Sequence, residues 1–213
     1  MTNKIKKHSS ITILILSFLL VSLTDINAQK IELSPFFGYQ TATQFPDQNQ
    51  SRIGGGINYG GSMNYAITRT WRLEISYNYL KSDFSAITMY GRHSYCDLNS
   101  KYLSLGGLKE IRPGNKVNPF GILTIGWVNH HPTSNGRYDA NLLHFSLGGG
   151  VKVAVIDNFG FRFQASLIMP VLSAGEYFGA KYYGPLLIFT HRTVAAAGDF
   201  TIAAVLFLDK RHE

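Results

Sequence analysis

Apolar and polar residues alternate with a period of two along most of the chain after residue 28. The clearest stretch begins at Trp71, where Trp71, Leu73 and Ile75 share one face and polar residues lie between them. Stretches beginning at Leu143 and Phe159 alternate in the same way. Such alternation is typical of a half-buried β-strand, and no stretch after residue 28 keeps a helical period. The pattern therefore predicts an all-β fold.

Weaker alternation completes a set of eight predicted strands. They span about 30–42, 53–66, 71–84, 97–112, 117–128, 142–155, 159–170 and 193–208. The connections at 67–70, 113–116 and 156–158 are short, and those at 43–52, 85–96, 129–141 and 171–192 are long. Short and long connections in alternation favour an up-and-down antiparallel meander closed into an eight-stranded barrel. Ten strands remain an alternative, because the aromatic-rich segment 171–192 is long enough to hold two more.

The segments 97–112 and 117–128 alternate poorly. Leu103 and Leu105 change phase near Gly106 and Gly107. We expect a β-bulge or a shifted register there.

The composition of the two strand faces predicts which one points into the barrel. The polar face of 53–66 carries glycine, serine and asparagine with hardly a lysine or glutamate, which is unlike the surface of a soluble protein. Turned inward, this face makes a small polar lumen, and the uncharged aromatic and aliphatic face becomes a lipid-facing band. Aromatic residues lie at both ends of that band, as interfacial girdles require: Trp71, Tyr65 and Phe207 at the short-turn end, and Tyr39, Tyr79 and Trp127 at the long-loop end. The pattern predicts a transmembrane β-barrel.

The first 28 residues have the pattern of a secretory signal peptide. Lys4, Lys6 and Lys7 precede an apolar stretch of 13 residues, 11–23, and Ala28 offers a small residue for cleavage. That stretch is shorter than the roughly 18–20 residues that a membrane-spanning helix needs. We therefore expect a cleaved signal peptide at 1–28 and a barrel domain at 29–213, with no further domain after the last strand.

Composition narrows the classes of function. Of the 213 residues only 15% are charged, which disfavours a disordered chain, and the predicted mature segment has 17 basic and 12 acidic residues, a net charge of +5. No basic run suggests a nucleic-acid partner, and anionic lipid headgroups suit this charge better. The single cysteine, Cys96, excludes an internal disulfide. In the second long loop it is either a free thiol or part of an intermolecular disulfide, or a neutral surface residue, which is the favoured expectation.

The segment RIGGGINYGGSMNYAITRTWRLEISYNYL (52–80), together with the signal peptide and the even strand number, resembles the eight-stranded outer-membrane β-barrel family, the OmpA, OmpX and OmpW-like domains. The resemblance covers about residues 30–208. It implies an outer-membrane location in a Gram-negative bacterium, short periplasmic turns and long extracellular loops. A monomer without a cofactor or a catalytic site is expected. It would contact outer-membrane lipid and lipopolysaccharide, and an extracellular ligand could bind its loops.

Six charged residues are predicted to point into the lumen: Glu32, Arg72, Glu74, Lys152, Arg162 and Asp199. A hairpin centred at Asp157 puts Lys152 opposite Arg162, so the two cations need an anion, which Glu74 or Asp199 could supply. A buried salt-bridge network that fills the narrow barrel is the favoured interpretation. A gated or narrow conduit for a small anion or an apolar solute, which the resemblance to OmpW-like domains allows, is the alternative. Unfilled lumen volume is expected at inward glycines such as Gly54, Gly56, Gly60, Gly148 and Gly150.

A catalytic alternative rests on His144 and Ser146. A histidine base two residues from a serine hydroxyl can activate it, and HFSLGG (144–149) is similar to the H-x-S-N motif of lipid A deacylases. Leu147 stands where that family has asparagine. The alternation also turns both side chains inward, away from a lipid substrate, so we expect two polar lumen residues and no enzyme.

Four histidines are predicted to lie in three different long loops: His93, His130, His131 and His191. Convergence on a metal ion would need a fixed spacing, which they lack, so solvated loop residues are expected. The segment 171–192 is expected to be an extension of the barrel strands, a plug or a binding surface.

Overall fold

Eight long strands form where the sequence alternates between apolar and polar residues. The computed structural model describes residues 31–44, 52–88, 91–133, 139–171, 175–177, 180–182 and 196–208. The strands are β1 (Ile31–Gln40), β2 (Gly56–Ala66), β3 (Trp71–Thr88), β4 (Gly91–Glu110), β5 (Val117–Pro132), β6 (Ala140–Ile156), β7 (Phe159–Val171) and β8 (Ala197–Phe207). The predicted signal peptide lies outside the described residues. Within them, no helix is long and apolar enough to cross a membrane.

Each strand pairs antiparallel with the next, and β1 pairs with β8, so the sheet closes on itself. Two short segments, Thr43–Gln44 and Arg52–Ile53, extend the hairpin of β1 and β2. Within the predicted long segment 171–192, Gly175–Tyr177 and Ala180–Tyr182 form a separate two-stranded ribbon. The prediction of an eight-stranded up-and-down barrel is confirmed, and the ten-strand alternative is wrong, because the ribbon pairs with no barrel strand in the described part of the chain.

The two faces of the barrel wall differ in chemistry as predicted. Along β3 the side chains of Trp71, Leu73 and Ile75 are exposed on the outside, whereas those of Arg72 and Glu74 are buried in the lumen. The outward positions of β3, β5, β6 and β7 carry no charged residue between the short-turn end and the level of Tyr79 and Trp127. An uncharged outer band around a polar interior is what a barrel needs when lipid covers its outer surface.

Strand β4 does not have the irregularity that the sequence led us to expect. Tyr102, Leu108 and Glu110 point inward and Leu103 and Leu105 outward in unbroken alternation. The predicted change of phase near Gly106 is wrong. The sequence pattern suggested it because apolar side chains occupy inward as well as outward positions of β4 and β5. The register between β3 and β4 shifts instead nearer the long-loop end. There Phe84 pairs with Cys96 and Ser85 with Ser94, so Tyr95 is the extra residue of a β-bulge.

Inward glycines make room for neighbouring groups instead of leaving the lumen open. A Cβ atom at Gly150 would lie 2.0 Å from the carbonyl oxygen of Phe163 and 2.8 Å from the ring of Phe120. At Gly60 the ring of Phe36 fills the corresponding space, 2.9 Å away. At Gly60 and Gly150 the expected unfilled volume is therefore taken by aromatic rings, which lie across the glycines.

The strands are longer at the long-loop end than the sequence predicts. The predicted loop 85–96 consists largely of the ends of β3 and β4, and residues at both ends of the predicted loop 129–141 belong to β5 and β6. β4 runs seven residues past Leu98, which is its last residue paired with β5. At about 3.3 Å per residue the hairpin of β3 and β4 projects about 20 Å beyond that pairing.

Candidate functional site: the barrel lumen

Four charged side chains from four strands form a closed ring near the short-turn end of the lumen. Arg72 on β3 lies 3.1 Å from a carboxylate oxygen of Glu32 on β1, and its Nε donates to Glu110 on β4 at 2.7 Å. Lys152 Nζ on β6 donates to Glu32 at 2.5 Å and to Glu110 at 2.8 Å. Each charge in this ring therefore touches two of opposite sign, and all four residues are buried.

A second ion pair lies directly beside this ring. Arg162 donates from Nη1 to Glu74 Oε2 at 2.6 Å and from Nη2 to Glu74 Oε1 at 3.3 Å, and Nη2 also contacts Gln164. The guanidinium carbon lies 4.7 Å from the ring centroid of Phe120. Lys152 is opposite Arg162 in the register of β6 and β7, yet each cation has its own carboxylate partners.

Asp199 belongs neither to the charged ring nor to the Arg162–Glu74 ion pair. Its side chain is 7% exposed, and its carboxylate accepts a hydrogen bond from Asn58 Nδ2 at 2.5 Å. No ion pair of Asp199 is present in the part of the chain that the structure describes. Glu74, and not Asp199, is thus the carboxylate that faces Arg162.

The structure brings five of the six predicted lumen charges together and adds one that sequence reasoning missed. The missed residue is Glu110, which links Arg72 to Lys152. It belongs to the segment whose alternation was thought to change phase, so its direction was not assigned. Counting in steps of two from the buried Tyr102 along β4 would have placed it inward.

A polar cavity of about 60 Å³ lies in the middle of the lumen. Its lining includes Glu74, Asn78, His144, Arg162 and Asp199. A water molecule needs only about 10–15 Å³ measured in this way. The cavity has room for a few waters or one small ion.

His144 and Ser146 are both buried in the lumen, facing this cavity. His144 Nε2 lies 3.0 Å from the hydroxyl of Ser104 on β4, and its ring packs edge-on at 5.5 Å from Tyr102. Within the described residues, His144 thus bonds to Ser104 and not to Ser146. The hypothesised pairing of His144 with Ser146 is therefore not formed in the described chain.

The histidines expected in loops lie mainly in strands. His130 is buried on β5 and bonds to Ser100 at 2.6 Å, and His131 next to it is exposed and contacts Asp139 at 2.6 Å. His93 on β4 packs against Tyr95, and His191 lies outside the described residues. Placing the first three in loops was wrong, because the strands continue beyond their predicted ends. In the described segments no group of three or more His, Cys, Asp or Glu side chains is placed to hold a metal ion.

Mainly apolar side chains fill the lumen at the long-loop end, together with the buried His130–Ser100 pair and Gln40. The apolar cluster consists of Ile53, Leu80, Phe84, Cys96, Leu98, Tyr102, Val128, Leu142 and Ile168. Cys96 is buried within it, so the prediction of a surface residue is wrong. The lumen therefore has three layers: the charged ring, the polar cavity and this apolar layer.

Comparison with known proteins gives one family match. The family model described as "Outer membrane protein beta-barrel domain" matches residues 14–169, which is more than half of the chain. A search of the curated protein sequences finds no match.

Solved structures share the architecture at low sequence identity. Neisserial surface protein A is 10% identical with a TM-score of 0.55, and the match covers 84% of this chain and 97% of that one. The outer membrane protein OprG from Pseudomonas aeruginosa is 11% identical with a TM-score of 0.53, covering 85% and 96%. The likeness to both is one of fold.

Proposed function

This chain belongs to the outer membrane β-barrel family and lies in the outer membrane of a Gram-negative bacterium, and we propose that it is a sealed, non-catalytic, monomeric barrel that acts through its extracellular surface. Its roles in this proposal are structural and adhesive. The short turns face the periplasm and the long-loop end faces the outside.

The observation that carries the proposal is the filling of the lumen. The charged ring lies on the periplasmic side of the central cavity, and the apolar layer lies on the extracellular side. A conduit needs a continuous wet passage, which these two layers interrupt. With the interior filled, the groups that can meet another molecule outside the membrane are on the projecting strands and loops.

The hairpin of β3 and β4 supplies such a surface. Ile87 and Tyr95 are each 39% exposed near its tip, and Tyr95 packs at 5.1 Å against the ring of His93 and at 6.2 Å against Phe84. Exposed apolar and aromatic side chains on a projecting element are typical of protein–protein contact sites.

We expect the double variant Ile87→Ser, Tyr95→Ser to lower adhesion of bacteria displaying the protein several-fold. Adhesion is measured on a panel of immobilised proteins and glycans, against cells that lack the protein. Lys116→Ala, in a periplasmic turn, is the matched control and should adhere like the wild type. Equal adhesion by all displaying strains and by cells without the protein would contradict a surface role.

A second part of the proposal concerns the lipid that surrounds the barrel. Lys81 on β3 and Lys101 on β4 point outward just above the apolar band, and both are exposed. Tyr79 pairs with Lys101 and Lys81 pairs with Asn99, so the two lysines are diagonal neighbours. The Cα atoms of such neighbours are about 7–8 Å apart. Neither forms an ion pair with another described residue. Two such cations at headgroup level suit a phosphate of lipid A, whose acyl chains would lie beside Leu103 and Trp127.

We expect Lys81→Glu, Lys101→Glu to reduce several-fold the lipid A that copurifies with the protein in mild detergent, because two attractive contacts become repulsive. Native mass spectrometry measures the retained lipid. Lys109→Glu is the control, since Lys109 lies outward at the opposite end of the band, over Trp71 at 5.4 Å. An equal loss of copurified lipid A in the double variant and in Lys109→Glu would contradict the assignment of Lys81 and Lys101 to a lipid A phosphate.

A further inference from the structure

The charges of the lumen balance except at Asp199. Glu32, Glu74 and Glu110 are matched by Arg72, Lys152 and Arg162, and each of these six is in an ion pair. Asp199 has one hydrogen-bond donor, Asn58, and no cation among the described residues. A buried carboxylate without a cation is costly, so buried charges in proteins are paired or bind an ion.

Asp199 lines the central cavity together with unsatisfied polar groups. Asn78 is 8% exposed, and its buried Oδ1 has no hydrogen-bond partner in the described chain. Buried His144 Nδ1 lacks one in the same way. The hydroxyls of Ser62 and Thr201 also line the cavity. Carboxylate, amide and hydroxyl oxygens therefore line a space that has room for a small ion with a few waters.

We propose that this cavity binds a small monovalent cation, of the size of sodium, at Asp199. The carboxylate of Asp199 and Oδ1 of Asn78 are its protein ligands, and Thr201 or water completes the shell. A single carboxylate matches a single positive charge, and hard cations prefer oxygen ligands. Arg162, the cation in the cavity lining, is already held by Glu74 and Gln164. A water on the bound ion can donate to Nδ1 of His144.

The test is the thermal unfolding of the refolded full chain in a zwitterionic detergent, with sodium chloride exchanged for choline chloride at constant ionic strength. A ligand that binds only the folded state raises the unfolding midpoint as its concentration rises. We expect the midpoint to rise by several degrees with sodium and to stay constant with choline. Asp199→Asn removes the charge and keeps the shape, so its midpoint should no longer depend on sodium.

Two further variants keep the result interpretable. Asp97→Asn changes an exposed carboxylate on β4 and should retain the full sodium response. Asn78→Ala should shift the response to higher sodium concentration, and it serves as the test if Asp199→Asn does not fold. A wild-type midpoint that is the same in sodium and choline would overturn the proposal. A sodium response that persists unchanged in Asp199→Asn, or in Asn78→Ala where the former does not fold, would overturn it as well.

Discussion

Replacing Lys152 with alanine is expected to lower the free energy of unfolding by about 3–5 kcal/mol, the usual cost of removing one partner from a buried ion pair. Lys152 donates to both Glu32 and Glu110, so its removal leaves two carboxylates to share Arg72 in a site that water barely reaches. The measurement is urea unfolding of the refolded barrel in lipid vesicles, followed by tryptophan fluorescence.

A matched pair of variants separates this effect from the general cost of losing a lysine. Lys116→Ala, in the exposed turn between β4 and β5, should change the unfolding free energy little. Adding Glu110→Gln to Lys152→Ala restores the charge balance of the ring, so the double variant should recover much of the loss. A loss for Lys152→Ala no larger than that for Lys116→Ala would show that the ring does not stabilise the barrel.

Placing arginine at Leu105 is the second large effect that we expect. Leu105 faces outward on β4, midway between Lys101 and Lys109, and therefore lies near the middle of the bilayer. An arginine facing lipid at mid-depth costs about 2–4 kcal/mol, and one near the interface about 0–1 kcal/mol. Unfolding in vesicles measures both costs, with Val117→Arg at the short-turn rim as the interfacial control. Equal costs at the two positions would contradict the assignment of this face to lipid.

The barrel itself could be predicted from the sequence because alternation reports directly on which face is buried. Strands such as β3 place five uncharged residues outward, from Trp71 to Tyr79, and the chemistry of lipid and lumen differs enough to assign the faces. Sequence reasoning failed where the lumen is apolar. Leu108 and Ile122 are apolar and yet point inward. In the sequence they look like a change of phase, so the inward direction of Glu110 was not predicted.

The site details depend on contacts across the lumen, which no local pattern encodes. Sequence spacing puts Lys152 opposite Arg162. It does not show that Arg162 forms its ion pair with Glu74, because that contact depends on the curvature of the closed wall. The same holds for His144, which meets Ser104 on another strand and not Ser146 on its own. Inward glycines look like empty space in a sequence, whereas the rings of Phe36 and Phe120 fill it in the fold.

The central claim, that the barrel is sealed, is tested most directly by the ion conductance of the refolded residues 29–213 in planar bilayers. A heat-modifiability gel on the same sample confirms folding, and flotation with vesicles confirms insertion. The account predicts a folded, inserted protein with no conductance steps. Discrete steps in the wild type whose size changes in Arg162→Ala would contradict it and would make the lumen a path for solutes.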